Sequence, residues 1–501
     1  MSVTVGAPHE SSVEADLGKP KLTTIHAIGQ SLAVGPIFSA GAILATVAAT
    51  SGFNTPLAVV FAFVGSLALA YVISLYARRY AGAGAMYEYL AKGVTNSFGI
   101  FSAGVYVLGL MFLGAGGVYI ALGFLTEGFF DAHLHASIPW WLGGAVGLAL
   151  VLYLNYTGVR ASVRGVLALA IISSIPFVVL ALVIIAKGGA DGNTLAVFDP
   201  GRTSWDSVFK GILFAVTLFI GFEAAASVAE ETANPRRSIP VAVLATVGIC
   251  GAFYLLMSYA GAIGFGEAKL GAENAWATSP SGFGDLANQY VGSWLSWIVD
   301  LVIILDALSL SIAFMVAASR VFFALGRDGL LPRFAATTTR HETPLGGTIV
   351  LGVWSVIMLV WAAATNYGKA LGGVSDPFAT FLIANATGSY LVELIYVFLS
   401  LAALGLVWRS RKEGGLAWKI PVILAGLATP ILAYKGSLDP WPKYPLNRGV
   451  YYALALIGLS VLWWLYLRAR HPERVATAAS HALHAAATPP EEPMPAPART
   501  V

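Results

Sequence analysis

The chain has 501 residues, 57% hydrophobic and only 11% charged, with a mean hydropathy of +0.75. That is more apolar material than a water-facing core of this size can bury, so the bilayer is the expected solvent. A net charge of +3 spread along the chain excludes a nucleic-acid surface, which needs a concentrated basic face. The single cysteine, Cys250, cannot form an intramolecular disulfide and reads as a buried spectator.

In chain order, residues 1–23 read as a polar segment ahead of the first apolar window. Windows of about 20 mostly apolar residues are long enough to cross the hydrocarbon as helices. They fall at 24–50, 54–77, 97–126, 139–156, 163–186, 208–229, 240–264, 292–324, 345–364, 376–407, 419–436 and 449–468. The expected fold class is therefore an all-α membrane protein of 12 transmembrane helices. The first window is too long and lacks the compact apolar stretch of a cleaved signal peptide. Residues 469–501, rich in Ala and Pro, have little to pack and read as a disordered tail. Lys and Arg resist translocation, and with the N-terminus in the cytosol 21 of the 29 basic residues fall in inside segments, which puts both ends in the cytoplasm.

Two of these windows carry breaks. In "SLAVGPIFSAG", Pro36 removes a backbone donor and Gly35 loosens the chain beside it. In "TLFIGFEAAASVAEETANPRRSIP", Gly221 sits two residues before Glu223, a carboxyl in an otherwise apolar run. A charge at membrane depth costs several kcal/mol by the lower estimates and usually faces a cavity or a partner. The breaks fall in spans one and six, which points to two similar halves with a solute site where the breaks meet. Half-helix N-termini there offer N–H groups to an anion, and freed carbonyls face a cation. The polar stretch "EETANPRR" is expected to stop the helix at Pro235 and to hold internal ion pairs at the surface.

Four stretches together resemble the amino acid, polyamine and organocation transporters: the sixth-span segment above, "ASRVFFALGRDGLLP" at 318–332, "NYTGVRASVRG" at 155–165 and "AGAGAMYEY" at 81–89. The resemblance implies the LeuT-type fold. Its ten-helix core, 24–407, would be built of inverted repeats at about 24–186 and 208–407, with two further helices at 419–468. It implies a substrate site formed by Val34, Gly35, Pro36 and Ile37 at the first break and by Phe219, Ile220 and Phe222 at the second. The first set would receive a substrate carboxylate on its N–H groups; carbonyls of Phe219 and Ile220 would meet the amine. Phe314 matches a substrate-facing aromatic position, and Thr217 joins this weakly polar lining. Where relatives have a Gly-small-Gly, this chain has Val34-Gly35-Pro36; proline cannot donate, which raises an amine lacking the carboxylate as an alternative.

Coupling or gating is expected from Glu223, Asp306, Ser309 and Ser311, the hydroxyls as oxygen ligands for sodium. The function implied is a secondary active transporter for amino acids in the plasma membrane, working by alternating access. Its partners would be a small amino acid or amine, a proton or sodium ion, and the lipid bilayer. An ethanolamine- or polyamine-type carrier and a non-transporting solute sensor are the alternatives. No HExxH, GxSxG or Cys/His cluster at ligand spacing points to an enzyme, and no cofactor or metal is expected.

Overall fold

The computed structural model describes residue 17 and residues 22–32, 35–271, 274–279, 281–413 and 415–480. Val34, expected at the first break, lies outside the described residues, as do 1–16 and 481–501 of the expected terminal segments. The described residues are helical, with two isolated bridges, Leu22 to Thr232 and Thr338 to Pro344, and no strand.

The first window is not one helix. It holds α1 (Thr24–Ser31), then α2 (Pro36–Phe38), which runs through a π-helical turn at Ser39–Ile43 into α3 (Leu44–Ser51). Gly52, at φ +52°, turns the chain into α4 (Thr55–Ala77). Next come α5 (Met86–Gly93), α6 (Asn96–Phe112), a second π-helical turn at Leu113–Gly117 and α7 (Val118–Leu134). α8 (Trp140–Thr157) and α9 (Val159–Ala186) follow. α10 (Trp205–Thr217) unwinds into a 3₁₀ stretch, Phe222–Val228, before α11 (Pro235–Phe265). Two short helices, α12 (Ala275–Thr278) and α13 (Gly282–Tyr290), lead to α14 (Ser293–Arg327) and α15 (Leu345–Ala364). α16 (Asp376–Arg409), α17 (Leu416–Leu438), α18 (Asn447–Arg470) and α19 (Pro472–Thr477) complete the described chain.

Among the described residues, ten stretches are long and apolar enough to cross a membrane. One of them, Thr24–Ala77, takes in both of the first two expected windows, and α8, at the fourth, is helical but is not among the ten. The outward faces are apolar, as lipid contact requires: Ile171, Ile172, Ile175 and Leu182 on α9, Val353 and Val360 on α15, and Leu454 and Leu462 on α18 are all more than half exposed. Inside, α4 packs along α11, α14 along α9, and α16 along α6, while the 3₁₀ stretch lies between α1 and α14, and α1 packs on α9 and α11.

Two local expectations change. Pro235 opens α11 at its first position after Asn234, where its missing N–H is no loss, so it starts a helix rather than ending one. The acidic pair before it reaches out of its own segment. Glu231 takes a bidentate contact from Arg320 of α14 (2.5 and 3.0 Å), and Glu230 takes one from Arg327 (3.0 and 2.7 Å). Residues 469–480, expected to begin a disordered tail, instead finish α18 and form α19, and Arg474 donates to the Gly329 carbonyl at 2.8 Å.

The Arg320–Glu231 pair is fully inside, 0% and 3% exposed at the side chains, and breaking such a pair leaves an uncompensated charge at about 3–5 kcal/mol. Arg320→Met is therefore expected to lower the thermal midpoint of the detergent-purified protein by several degrees. Adding Glu231→Gln should recover most of that loss; a double variant no more stable than the single one would show that the pair is not the source.

Candidate functional site

The site begins with the failure of two helices to continue. α1 stops at Ser31, and Gly35, at φ +56°, re-aims the chain so that Pro36 can start a new helix. Its side is blocked: a Cβ at Gly35 would come within 3.1 Å of Leu310 and 3.4 Å of Asp306. In the second break Gly221, at φ +112°, converts α10 into the tighter 3₁₀ turns.

Each break exposes backbone groups that lipid cannot satisfy. The first is met by α14: the N–H groups of Ile37 and Phe38 both donate to one carboxylate oxygen of Asp306, at 2.9 Å each. Gly35 N–H turns back to the Leu32 carbonyl at 3.1 Å. The breaks also meet each other. Ser31 donates to the Phe222 carbonyl at 2.7 Å and accepts from the Ala225 N–H at 3.3 Å. Gln30, one residue earlier, donates to the Ala313 carbonyl of α14 at 2.9 Å.

Glu223 is 1% exposed and faces inward. One oxygen accepts the Gly221 N–H at 3.0 Å and the Tyr396 hydroxyl of α16 at 2.8 Å. Together with Tyr106, Leu110, Gly221, Ala224, Phe314 and Ala317 it lines a closed cavity of about 10 Å³. That is room for about one water. Phe314 packs directly on the second π turn: a Cβ at Gly114 would collide with its side chain.

Of the expected site residues, Glu223 and Phe314 share this cavity, and Gly35, Pro36, Ile37, Ile220 and Phe222 sit buried at the breaks. Ile37 offers its N–H to Asp306 rather than outward. The Phe219 carbonyl accepts from Phe222 N–H at 3.1 Å, and its ring stacks on Phe63 and meets Tyr254 edge-on, away from the cavity lining. Thr217 donates within α10, to the Phe214 carbonyl. Ser309 donates to the Val166 carbonyl of α9 at 3.3 Å and Ser311 to Ala307 of its own helix. Sequence reasoning missed Tyr106, Leu110, Ala317 and Tyr396, ordinary helix residues with no local mark; the small-residue run "LGAGG" was the one signal for the π turn beneath Phe314.

The α5 end of the bundle is shut. Besides its two bonds to Arg327, Glu230 accepts the Ala83 N–H at 2.8 Å. Tyr87 donates to Asp328 at 2.6 Å, and the same oxygen accepts the Ala479 N–H at 2.8 Å. The glycines of "AGAGA" make room for Glu88, since a Cβ at Gly82 or Gly84 would strike its carboxyl. Glu88 is 1% exposed, with one oxygen on Gly84 N–H at 3.1 Å and the other without a partner.

The arrangement is a bundle of apolar helices with two broken members joined at a buried carboxyl and closed at one end by ion pairs. The chain belongs to the amino acid permease family, which it matches over residues 23–460. It is 28% identical to the branched-chain amino acid permease BcaP of Bacillus subtilis (strain 168) over 212 residues, 42% of this chain and 43% of that one. It is 28% identical to the uncharacterized transporter Rv1999c of Mycobacterium tuberculosis over 369 residues, 71% of this chain and 77% of that one. With the polyamine transporter PUT1 of Oryza sativa subsp. japonica it shares 28% identity over 268 residues, 50% and 47% of the two chains. The chain thus spans less than half the length of the Bacillus and rice relatives.

Burial first and the neighbouring Glu230 charge second push the Glu88 carboxyl up from 4.5 to about 8, with the Arg327 cation pulling the other way and Asp328 adding to the rise. A raised carboxyl holds, in the folded state, a proton that the unfolded chain releases, so stability falls as pH climbs through that window. Glu88→Gln removes this contribution. Melting curves at pH 5 and pH 9 should show the variant gaining several degrees on the wild type at the higher pH; parallel curves would exclude Glu88 as the source.

Proposed function

We propose that the protein is a secondary active transporter that carries amino acids, or amines related to them, across the plasma membrane by alternating access. The cargo would bind between the two breaks, with its amino group on Glu223. The observation that supports this reading best is the junction itself: Ser31 bonds the second break from the first, and the buried Glu223 carboxyl opens onto the cavity between α6, the second break and α14. An ammonium ion is the natural complement of an inward carboxylate that has no basic partner of its own.

In this reading the two breaks belong to inverted repeats at about 24–186 and 208–407, and α17 and α18 are appended to them. Twelve crossings follow if Thr24–Ala77 folds as two and α8 as one, which returns both ends to the cytosol, where the positive-inside bias puts them. The ion-paired α5 end is then the cytoplasmic gate, closed. Coupling to protons, to sodium or to exchange would act through the same carboxyls, Glu223 and Asp306. An organic amine as cargo is the second reading, favoured by the hold of Asp306 on the first break.

Uptake into proteoliposomes tests the proposal. Purified protein should accumulate a radiolabelled amino acid or amine against its gradient, and Glu223→Gln should lower the initial rate at least tenfold while elution and melting stay normal. Wild-type rates for Glu223→Gln at every pH would remove this residue from binding and coupling; binding without accumulation would make the protein a sensor.

A further inference from the structure

A half-helix N-terminus inside a membrane attracts an anion because its first N–H groups have no carbonyl partners. In a broken-helix carrier this is where the carboxylate of an amino acid finds its hydrogen bonds. In this protein that position is filled from within. The helical run opened by Pro36 continues without interruption to Ser51, and its first residue has no N–H to give. The next two donors, Ile37 and Phe38, are both taken by Asp306, and Ser39 N–H already closes on the Gly35 carbonyl at 2.8 Å. The nearby hydroxyl of Ser31 is held between Phe222 and Ala225.

A cargo carboxylate arriving there would find the Ile37, Phe38 and Ser39 N–H groups already taken and would meet a second carboxyl group. Asp306 is 0% exposed, and its other oxygen has no hydrogen-bond partner, so no third group offsets a like charge beside it. Like charges a few ångströms apart in a dry interior repel strongly, because little solvent screens them. The charge inventory of the interior points the same way. The buried charged side chains away from the α5 end are Glu223, Asp306 and Glu393, all acids, and the buried arginine, Arg320, is paired with Glu231. Among the described residues no buried lysine or unpaired arginine is there to receive a carboxylate.

We infer that Asp306 is a built-in substitute for the cargo's carboxylate, and that the transported solute is an organic amine without one. Asp306 is thus a specificity residue: it occupies the donors of the first break, leaving Glu223 to bind the ammonium group. The inference rests on the transport reading above and narrows its substrate class.

The test compares matched pairs that differ only by the carboxylate: serine with ethanolamine, ornithine with putrescine, lysine with cadaverine, leucine with isopentylamine. Each is offered to proteoliposomes holding the wild-type protein, and each is offered to the detergent-purified protein in a melting assay. At least one amine should accumulate tenfold or more above its parent amino acid and raise the melting midpoint, whereas the parent does neither. Asp306→Gly should then gain binding of the parent amino acid by tenfold or more, because two N–H groups are released to its carboxylate. Accumulation of the amino acids in equal or greater measure than their amines overturns the inference but keeps the carrier. If no member of any pair binds or accumulates, the carrier reading fails and the inference with it. The wild-type comparison decides the matter even if the glycine variant does not fold.

Discussion

A membrane offers no water to an interrupted helix, so every peptide group released by a break must find a partner inside the protein. This requirement organises the molecule. Asp306 crosses from α14 to hold two N–H groups of the first break; Ser31 and Gln30 cross from α1 to the second break and to α14. Glu223 closes the second break on itself through Gly221 and is steadied by Tyr396 of α16. Apart from the Glu223–Gly221 bond, each joins elements far apart in the chain, so the same contacts that satisfy the breaks also tie the bundle's centre together. Unwinding therefore produces a junction of directed hydrogen bonds rather than a weak point.

The α5 end obeys a different rule. Its charged groups sit where helices finish, and they are matched in pairs across elements: Glu231 with Arg320, Glu230 with Arg327 and Ala83, Asp328 with Tyr87 and Ala479. Bidentate arginine forks fix angle as well as distance, so α14 is held in one orientation against the end of the second break. Glu88 in this cluster keeps one buried oxygen without a partner, since the glycines that admit it supply one N–H and little else. The price of that close packing is a carboxyl that resists ionisation beside another acid.

Much of this was legible in the amino-acid order. Long apolar windows marked the helices, Gly35-Pro36 and Gly221 marked the breaks, and a lone carboxyl in "FIGFE" marked the cavity, because each is a local violation of what lipid-immersed helix prefers. What remained hidden was pairing at a distance. Asp306 lies 269 residues from Ile37, and nothing in its own neighbourhood separates a helix cap from a proton carrier or a spectator. The same holds for Tyr396, an unremarkable aromatic in an apolar helix until α16 is laid beside the second break. The acidic "EETANPRR" stretch misled for the opposite reason: opposite charges close in sequence invite local pairing, yet helix direction sends Glu230 and Glu231 toward α14. Pro235 likewise reads as a stop or as a start, and only the left-handed turn at Asn234 decides for the start.

The closed cavity limits how the molecule can move. A volume of about 10 Å³ admits a water and nothing larger, so a solute with several heavy atoms enters only when its walls separate. The packing is unequal. Away from the cavity, α4 and α11 pack along their lengths, with Gly251 set against the Phe63 ring. The two breaks and their neighbours carry joints: Gly35 and Gly221 with positive φ, and π turns at Ser39–Ile43 and Leu113–Gly117, the second in contact with Phe314. A π turn holds one residue more than the helix around it and can release it by shifting its hydrogen-bond register. On the transport reading proposed above, the rearrangement that admits a solute would start at these joints rather than in the α4–α11 packing.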